Sequence, residues 1–336
     1  MRVVVTGATG NIGTSVIEAL SMDPAVDRIV GLARRRPDWT PAKTEFVEAD
    51  IRSTELTALF RGADVVVHLA WIFQPTHDPL ATWDVNVLGG IRVFEAAAEA
   101  GVGALVYSSS VGAYSPGPGR RVDESWPTHS LPTAAYGREK AYLERYLDAL
   151  ELRHPNLRVA RMRPAFVFKR QAASEQWRIF AGRLLPRAVV RPGRLPVLPL
   201  PTGLRLQAVH ADDLAVAFRL AITSDARGAF NVIADPVLDH AGIGEIFGAR
   251  TVSVPARPVR AVLGAAWRLR AVPADEALLH LLLNLPTMDA GRVRGELGWS
   301  PRYTAADAIR EFLAGLADGA GMDTPPLRPY GEKSAT

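Results

Sequence analysis

Residues Met1 to Thr14 read MRVVVTGATGNIGT. The stretch predicts a short apolar strand (Arg2 to Val5), a glycine turn, and a helix over about Asn11 to Leu20. Glycines fall at Gly7, Gly10 and Gly13. Gly7 lets the chain leave the strand through a conformation that a side chain resists. Gly10 leaves room for a pyrophosphate against bare backbone, and Gly13 lets the helix pack close to the strand. The free N–H groups and positive dipole end of the helix, at Asn11 and Ile12, then face the phosphates. A glycine turn between any strand and any helix is the plain alternative. The order strand, turn, helix is the context that dinucleotide binding requires.

Length and composition narrow the rest. The 336 residues suit one large domain or two modest ones, and 48% hydrophobic residues are ample for a core. Cysteine is absent, which removes disulfides, thiol catalysis and cysteine-ligated zinc, and agrees with a cytoplasmic setting. No signal peptide opens the chain, and no apolar run of about 18 residues predicts a membrane span. A net charge of +4, with arginine spread along the chain, predicts neither a nucleic-acid nor a membrane partner. No histidine pair stands at metal-ligand spacing, so no metal is assigned.

Taken in order, the chain alternates strand and helix. A second strand is predicted at Arg28 to Ala33. An acid at its tip would suit the ribose of NAD, but Ala33 is followed by Arg34, Arg35 and Arg36. Arg34 and Arg35 suit a 2′-phosphate, favouring NADP over NAD; loop surface is the alternative. A third strand at Thr44 to Val47 ends at Asp50-Ile51. Asp50 either meets the adenine or caps a helix over Ser53 to Phe60. A buried fourth strand, Asp64 to Ala70, places His68 and Ala70 at the carboxyl edge of the sheet, where His68 reads as positioned rather than catalytic. Trp71 and Phe73 follow, as pocket wall or core, and then a helix over about Leu80 to Ala100 containing Asn86. A fifth strand, Ala104 to Ser108, runs into Ser110. A helix over Thr133 to Leu150 precedes a sixth strand, Arg158 to Arg163. Beyond Pro164 the pattern loosens. A strand at Arg205 to His210, a helix start capped by Asp212-Asp213, a strand at Phe230 to Ile233 and several amphipathic helices up to Leu316 are expected. His210 reads as a packed strand residue, and Asp123-Glu124 as loop. From Gly319 the chain is expected to fray. The pattern is that of a Rossmann-type doubly wound parallel sheet with a smaller, mostly helical C-terminal region.

Tyr136 and Lys140 lie four apart on one helix face. A phenol is a poor base at neutral pH. A nearby ammonium favours its phenolate, and Lys140 can also reach a nicotinamide ribose. Tyr136 can then move a proton at a substrate oxygen while hydride moves at carbon. Ser110, at the end of the preceding strand, would hold that oxygen. A tyrosine and a lysine at this spacing occur on many helices; the glycine fingerprint and the serines at the strand edge give the pair its reading.

These stretches resemble the extended short-chain dehydrogenase/reductases of the NAD-dependent epimerase/dehydratase superfamily. The matches are TGATGNIG (Thr6 to Gly13), Asp50-Ile51, HLA (His68 to Ala70), Asn86, SSSVGAY (Ser108 to Tyr114), YGREK (Tyr136 to Lys140), Arg163-Pro164, HADDLA (His210 to Ala215) and LGWSPRYTAADAIREFL (Leu297 to Leu313). The resemblance implies that Ser110, Tyr136 and Lys140 are catalytic. It places Gly7, Gly10, Ile12, Asp50, Ile51, Ala70, Asn86 and Pro164 against the cofactor, with Asn11, Gly13, Leu69, Ser108 and Val167 beside them. Family dehydratases carry Thr-Asp-Glu at the serine position, where this chain has Ser110-Val111-Gly112. Epimerases with a cysteine acid are excluded. Nucleotide-sugar members usually carry a Tyr-Gly-Pro-like turn where Val167-Phe168-Lys169-Arg170 stands here.

The expected function is hydride transfer between NADP(H) and a carbonyl or secondary alcohol of a partly apolar small molecule. Trp71, Phe73, Phe166, Phe168 and Trp177 are the candidate pocket wall, together with Ser110. Nucleotide-sugar 4-epimerisation with retained NAD, and a non-catalytic NADP(H) sensor or scaffold, are the alternatives. The expected organisation is a dinucleotide-binding domain over 1–163, completed by about 205–235. A substrate region spans 164–204 and 236–318, and a flexible tail 319–336. A homodimer through the helices at Leu80 to Ala100 and Thr133 to Leu150 is the expectation from the family.

Overall fold

The structure, a computed structural model, describes residues 1–74, 76–182 and 190–329. The first half runs β1 (Arg2–Thr6), α1 (Asn11–Ser21), β2 (Arg28–Ala33), β3 (Thr44–Glu48), α2 (Leu56–Phe60), β4 (Val65–His68), α3 (Pro79–Trp83), a π-helical turn (Asp84–Leu88), α4 (Gly89–Glu99), β5 (Ala104–Ser108), β6 (Arg121–Val122), α5 (Ala135–Arg153) and β7 (Arg158–Pro164). The second half runs β8 (Phe166–Phe168), α6 (Ala173–Phe180), β9 (Val197–Pro201), β10 (Leu206–His210), α7 (Ala211–Ile222), β11 (Gly228–Val232), β12 (Ala234–Leu238), α8 (His240–Phe247), β13 (Arg250–Val254), α9 (Ala256–Arg268), α10 (Glu276–Asn284), β14 (Thr287–Met288), α11 (Gly291–Leu297) and α12 (Ala305–Asp318).

Seven strands form one sheet in the order β11-β7-β5-β4-β1-β2-β3, every pair parallel. Parallel strands covered on both faces need continuous apolar runs rather than alternation. Val3, Val4 and Val5 meet that need and are fully buried. One face carries α1 and α7, packed on each other, over a core that includes Val3, Val5, Val106 and Phe230. The other carries α2, α4 and α5 over Val4, Val66, Leu105 and Leu143. Strand order reverses between β1 and β4, which opens a crevice at their carboxyl ends. A third cluster, including Trp177, Leu238, Ile243 and Leu313, packs α6, α8 and α12 beside the three-stranded sheet β12-β10-β8.

Three expectations about elements need correction. The helix predicted from Leu80 to Ala100 is interrupted by the π turn, which holds Asn86. The helix predicted from Ser53 starts only at Leu56, with Glu55 at its N-cap, so Asp50 does not cap it. The chain from Gly319 does not fray at once. Leu327 is fully buried, Thr324 Oγ1 donates to the Thr9 carbonyl (2.9 Å), and the Asp323 carbonyl accepts the amides of Asp38 and Trp39 (3.2 Å each). Composition hid this because one buried leucine and a few backbone bonds suffice to tie down a proline-rich segment. The rest of the predicted tail, 330–336, lies outside the described residues.

Candidate active site

The glycine turn places three different demands on three positions. Gly7 leaves β1 at φ +70°, and a Cβ there would stand 2.5 Å from the Ala70 nitrogen. A Cβ on Gly13 would stand 2.2 Å from the Gly7 carbonyl oxygen. At Gly10 a Cβ would meet nothing nearer than 3.6 Å, so this glycine borders open space. No side chain caps α1, and its first turn carries no acid. Uncapped amides beside an open glycine fit a diphosphate. Asn11 Nδ2 donates to the Val167 carbonyl (3.2 Å) and ties the turn to β8. Ile51 is buried against Gly89, where a Cβ would come within 2.9 Å of its side chain. Arg34 and Arg35 are exposed just past the tip of β2. Asp50 is engaged by the Arg52 guanidinium (2.8 Å), and that bond holds its carboxyl below the usual range.

Ser110, Tyr136 and Lys140 come together at the end of β5. Ser110 starts the short turn Val111–Ala113, its Oγ accepting the Gly112 amide (3.0 Å). The N-terminal turn of α5 lies on this segment because two glycines permit it. A Cβ on Gly112 would stand 2.7 Å from the Tyr136 ring, and one on Gly137 would stand 2.0 Å from Ser130 Oγ. Burial pushes the Tyr136 phenol up to about 12, partly opposed by the Ser110 side chain. Burial brings the Lys140 ammonium down to about 7. Its Nζ donates to the Ser108 carbonyl (2.7 Å) and lies 3.6 Å from the centre of the Trp71 ring. The expected effect of Lys140 on the phenol is therefore not the main one here; burial and Ser110 set the phenol's state.

Sequence reasoning missed what anchors this edge. Glu144, one turn beyond Lys140 on α5, is fully buried. Burial alone would raise its carboxyl, but Arg163 and Arg161 overcome that and leave it at about 2. Arg163 Nε and one terminal nitrogen each reach Glu144 at 2.9 Å, and its other terminal nitrogen donates to Tyr114 Oη (2.9 Å). Ser109 Oγ donates to the same carboxylate. The available signal was an acid continuing the Tyr136–Lys140 face, where a solvent-facing residue has no place.

An aromatic cleft adjoins Tyr136. Trp71, Phe73, Phe180 and Tyr136 supply its rings and Glu139 and Asp275 its acids; among the described residues, no lysine or arginine lines it. Phe73 stacks on Tyr136 with centroids 5.0 Å apart, and Trp71 meets it edge-on at 5.6 Å. Three predicted pocket residues lie elsewhere. Trp177 is buried in the third core cluster, and Phe168 packs on Phe312. Phe166 lines a separate small cleft with Arg205 and Gln207. All three follow β7, where loop geometry rather than periodicity decides direction. Leu69 and Ala70 sit just past β4, at the crevice, and Pro164 ends β7.

The remaining polar candidates have structural partners. His68 is fully buried, bonded to Thr6 Oγ1 (2.7 Å), and desolvation lowers it to about 3, so it is neutral. His210 stacks on Tyr303 and caps α7 through Nδ1, in place of the expected Asp212-Asp213. Asp213 instead accepts the amides of Arg302 and Tyr303, and Asp212 accepts from Ser15 Oγ. Glu124 accepts the Asn231 amide.

Comparison with known proteins places this arrangement. A profile of the NAD dependent epimerase/dehydratase family matches residues 3–232. An uncharacterised Mycobacterium tuberculosis protein is 28% identical over 329 residues, covering 96% of this chain; the chain spans only 31% of that relative's length. A UDP-glucose 4-epimerase of Mycolicibacterium smegmatis is 35% identical over 162 residues, covering 44% of this chain and 50% of that protein. Among solved structures, MoeE5 in complex with UDP-glucose and NAD is similar with a TM-score of 0.69 at 20% identity, covering 95% of this chain and 99% of that one. The Thermus thermophilus UDP-glucose 4-epimerase complex with NAD gives 0.67 at 23% identity, covering 94% and 99%. The profile match spans most of the chain and includes the glycine turn, Ser110, Tyr136 and Lys140: the chain belongs to the NAD-dependent epimerase/dehydratase family.

Proposed function

We propose that this protein transfers hydride between NADP(H) and a carbonyl or secondary alcohol of a partly apolar small molecule. The observation that carries the reading is the convergence of Ser110, Tyr136 and Lys140 at the end of β5, where a Cβ on Gly112 would meet both the Tyr136 ring (2.7 Å) and Ser110 Oγ (3.4 Å), beside an aromatic cleft. The α1 amides and Gly10 would hold the diphosphate, and the bound coenzyme would supply or accept the hydride. Ser110 orients the substrate oxygen, and Tyr136, a protonated phenol across the neutral range, donates a proton to it. Lys140, one turn along α5, supplies positive charge against the phenolate that remains. Arg34 and Arg35, with no acid at the tip of β2, favour a 2′-phosphate. The NAD named with the similar structures favours the other coenzyme. Titration with NADPH and NADH decides between them; tighter NADH binding overturns the NADP assignment. NADPH oxidation across a carbonyl panel tests the reaction, and equal rates with Tyr136→Phe would remove the phenol from the mechanism.

Nucleotide-sugar 4-epimerisation is the second reading, supported by the likeness to UDP-sugar 4-epimerases. It predicts NAD retained through purification and no net coenzyme turnover. Coenzyme binding without turnover of any carbonyl or sugar would favour a sensor.

A further inference from the structure

Glu139 stands between Tyr136 and Lys140 in sequence and is 1% exposed. Burial raises its carboxyl above the usual range, so its place is costly. Its two oxygens take separate donors. Thr82 Oγ1, from α3, donates to Oε1 (2.7 Å), and Asn86 Nδ2, from the π turn, donates to Oε2 (2.8 Å). Asn86 then grips one residue by both of its backbone groups: its Oδ1 accepts the Ile72 amide and its Nδ2 donates to the Ile72 carbonyl, both at 2.9 Å. Ile72 is flanked by the two rings that cover the reacting pair, Trp71 over Lys140 and Phe73 on Tyr136. A helix that keeps regular α geometry through residue 86 would present this side chain differently; the π turn is the kind of local widening found at functional sites.

We propose that Glu139 is a positioning residue, holding the Trp71–Phe73 arm over Tyr136 and Lys140 through Asn86. Its carboxylate is suited to this because both oxygens accept, whereas a glutamine offers one acceptor and one donor. Glu139→Gln sets an N–H against either Thr82 or Asn86 and loosens the arm. The contact is independent of which reaction the site performs; its kinetic consequence rests on the function proposed above.

Hydrogen exchange on the full-length protein reads the arm directly. Glu139→Gln is expected to speed exchange of the Ile72 amide by about tenfold, as expected for loss of one hydrogen bond to a charged group, with α5 from residue 141 onward unchanged. Tyr136 should nitrate faster with tetranitromethane. Glu139→Ala, which removes both acceptors, should do likewise and carries the test if Glu139→Gln does not fold; Asn86→Ala, which removes the Ile72 amide's own acceptor, marks the fully released arm. With a turned-over carbonyl, KM should rise more than kcat falls. Unchanged exchange at Ile72 in either Glu139 variant overturns the proposal, as does equal acceleration along the whole of α5, the mark of a purely structural acid. Faster exchange with full activity in Tyr136→Phe would keep the positioning role and reject the reaction.

Discussion

The two ends of the crevice are built on opposite principles. At the β5–α5 end, the functional groups are buried or half-buried and packed on one another: Tyr136 against Gly112, Lys140 on the Ser108 carbonyl, Ser109 on Glu144, and Glu144 on Arg161 and Arg163. At the β2 tip, Arg34 and Arg35 are exposed, and the nearby Asp50 bonds its neighbour Arg52. The contrast separates two tasks. Groups that move a proton need fixed positions and shifted pKa values, which burial supplies. Exposed arginines that met a coenzyme phosphate, as proposed for Arg34 and Arg35, would need only to reach it from water.

The contrast breaks most sharply at the buried end. Tyr136→Phe should lower kcat by about 10²–10⁴-fold while leaving thermal stability close to wild type, since only a proton donor is lost; steady-state kinetics with a melting curve checks this. Glu144→Gln should cost about 3–5 kcal/mol of stability, measured by urea unfolding, because it leaves the buried Arg163 guanidinium without its carboxylate, while Arg161 keeps Asp148 and Glu151. An effect near zero would mean that the anchoring network does not hold this edge.

Lys140 sharpens the comparison through pH. Its folded-state pKa, about 7, lies below the ordinary 10.5, so between these values the unfolded chain binds more protons. Stability from this group therefore rises as pH climbs from about 7 towards 10.5, and is least below 7. Lys169, lowered to about 8 by burial, adds a rise of the same sign in both proteins. Urea unfolding across this range should show a steeper rise in wild type than in Lys140→Met; parallel curves would mean that the lysine is not desolvated. The smallest effect belongs to the exposed end. Arg34→Ala with Arg35→Ala should weaken NADPH binding by about tenfold and leave NADH and stability unchanged.

Legibility followed the same division. The glycine turn, the parallel sheet and the Tyr136–Lys140 face were readable because each is a local pattern with a local cause: a positive φ, a both-faces-buried strand, a helical repeat. The pocket was half readable. Trp71 and Phe73 follow β4 directly, so the strand end aims them, whereas Phe166, Phe168 and Trp177 depend on how the chain turns after β7. The π turn at Asn86 and the packed segment around Leu327 left no periodic trace.

By itself, then, the order of residues determined a Rossmann-type sheet, the end of it where a dinucleotide fits, and a serine, a tyrosine and a lysine at one edge, because strand and helix periods and glycine conformations are short-range physics. Only the tertiary structure decided that Glu144 anchors that edge, that Glu139 grips the aromatic arm through Asn86, and that the phenol and ammonium are shifted by burial. Desolvation and charge pairing depend on which distant segments pack together, and residues such as Thr82, Asn86 and Glu139 meet only once the sheet has brought their helices side by side.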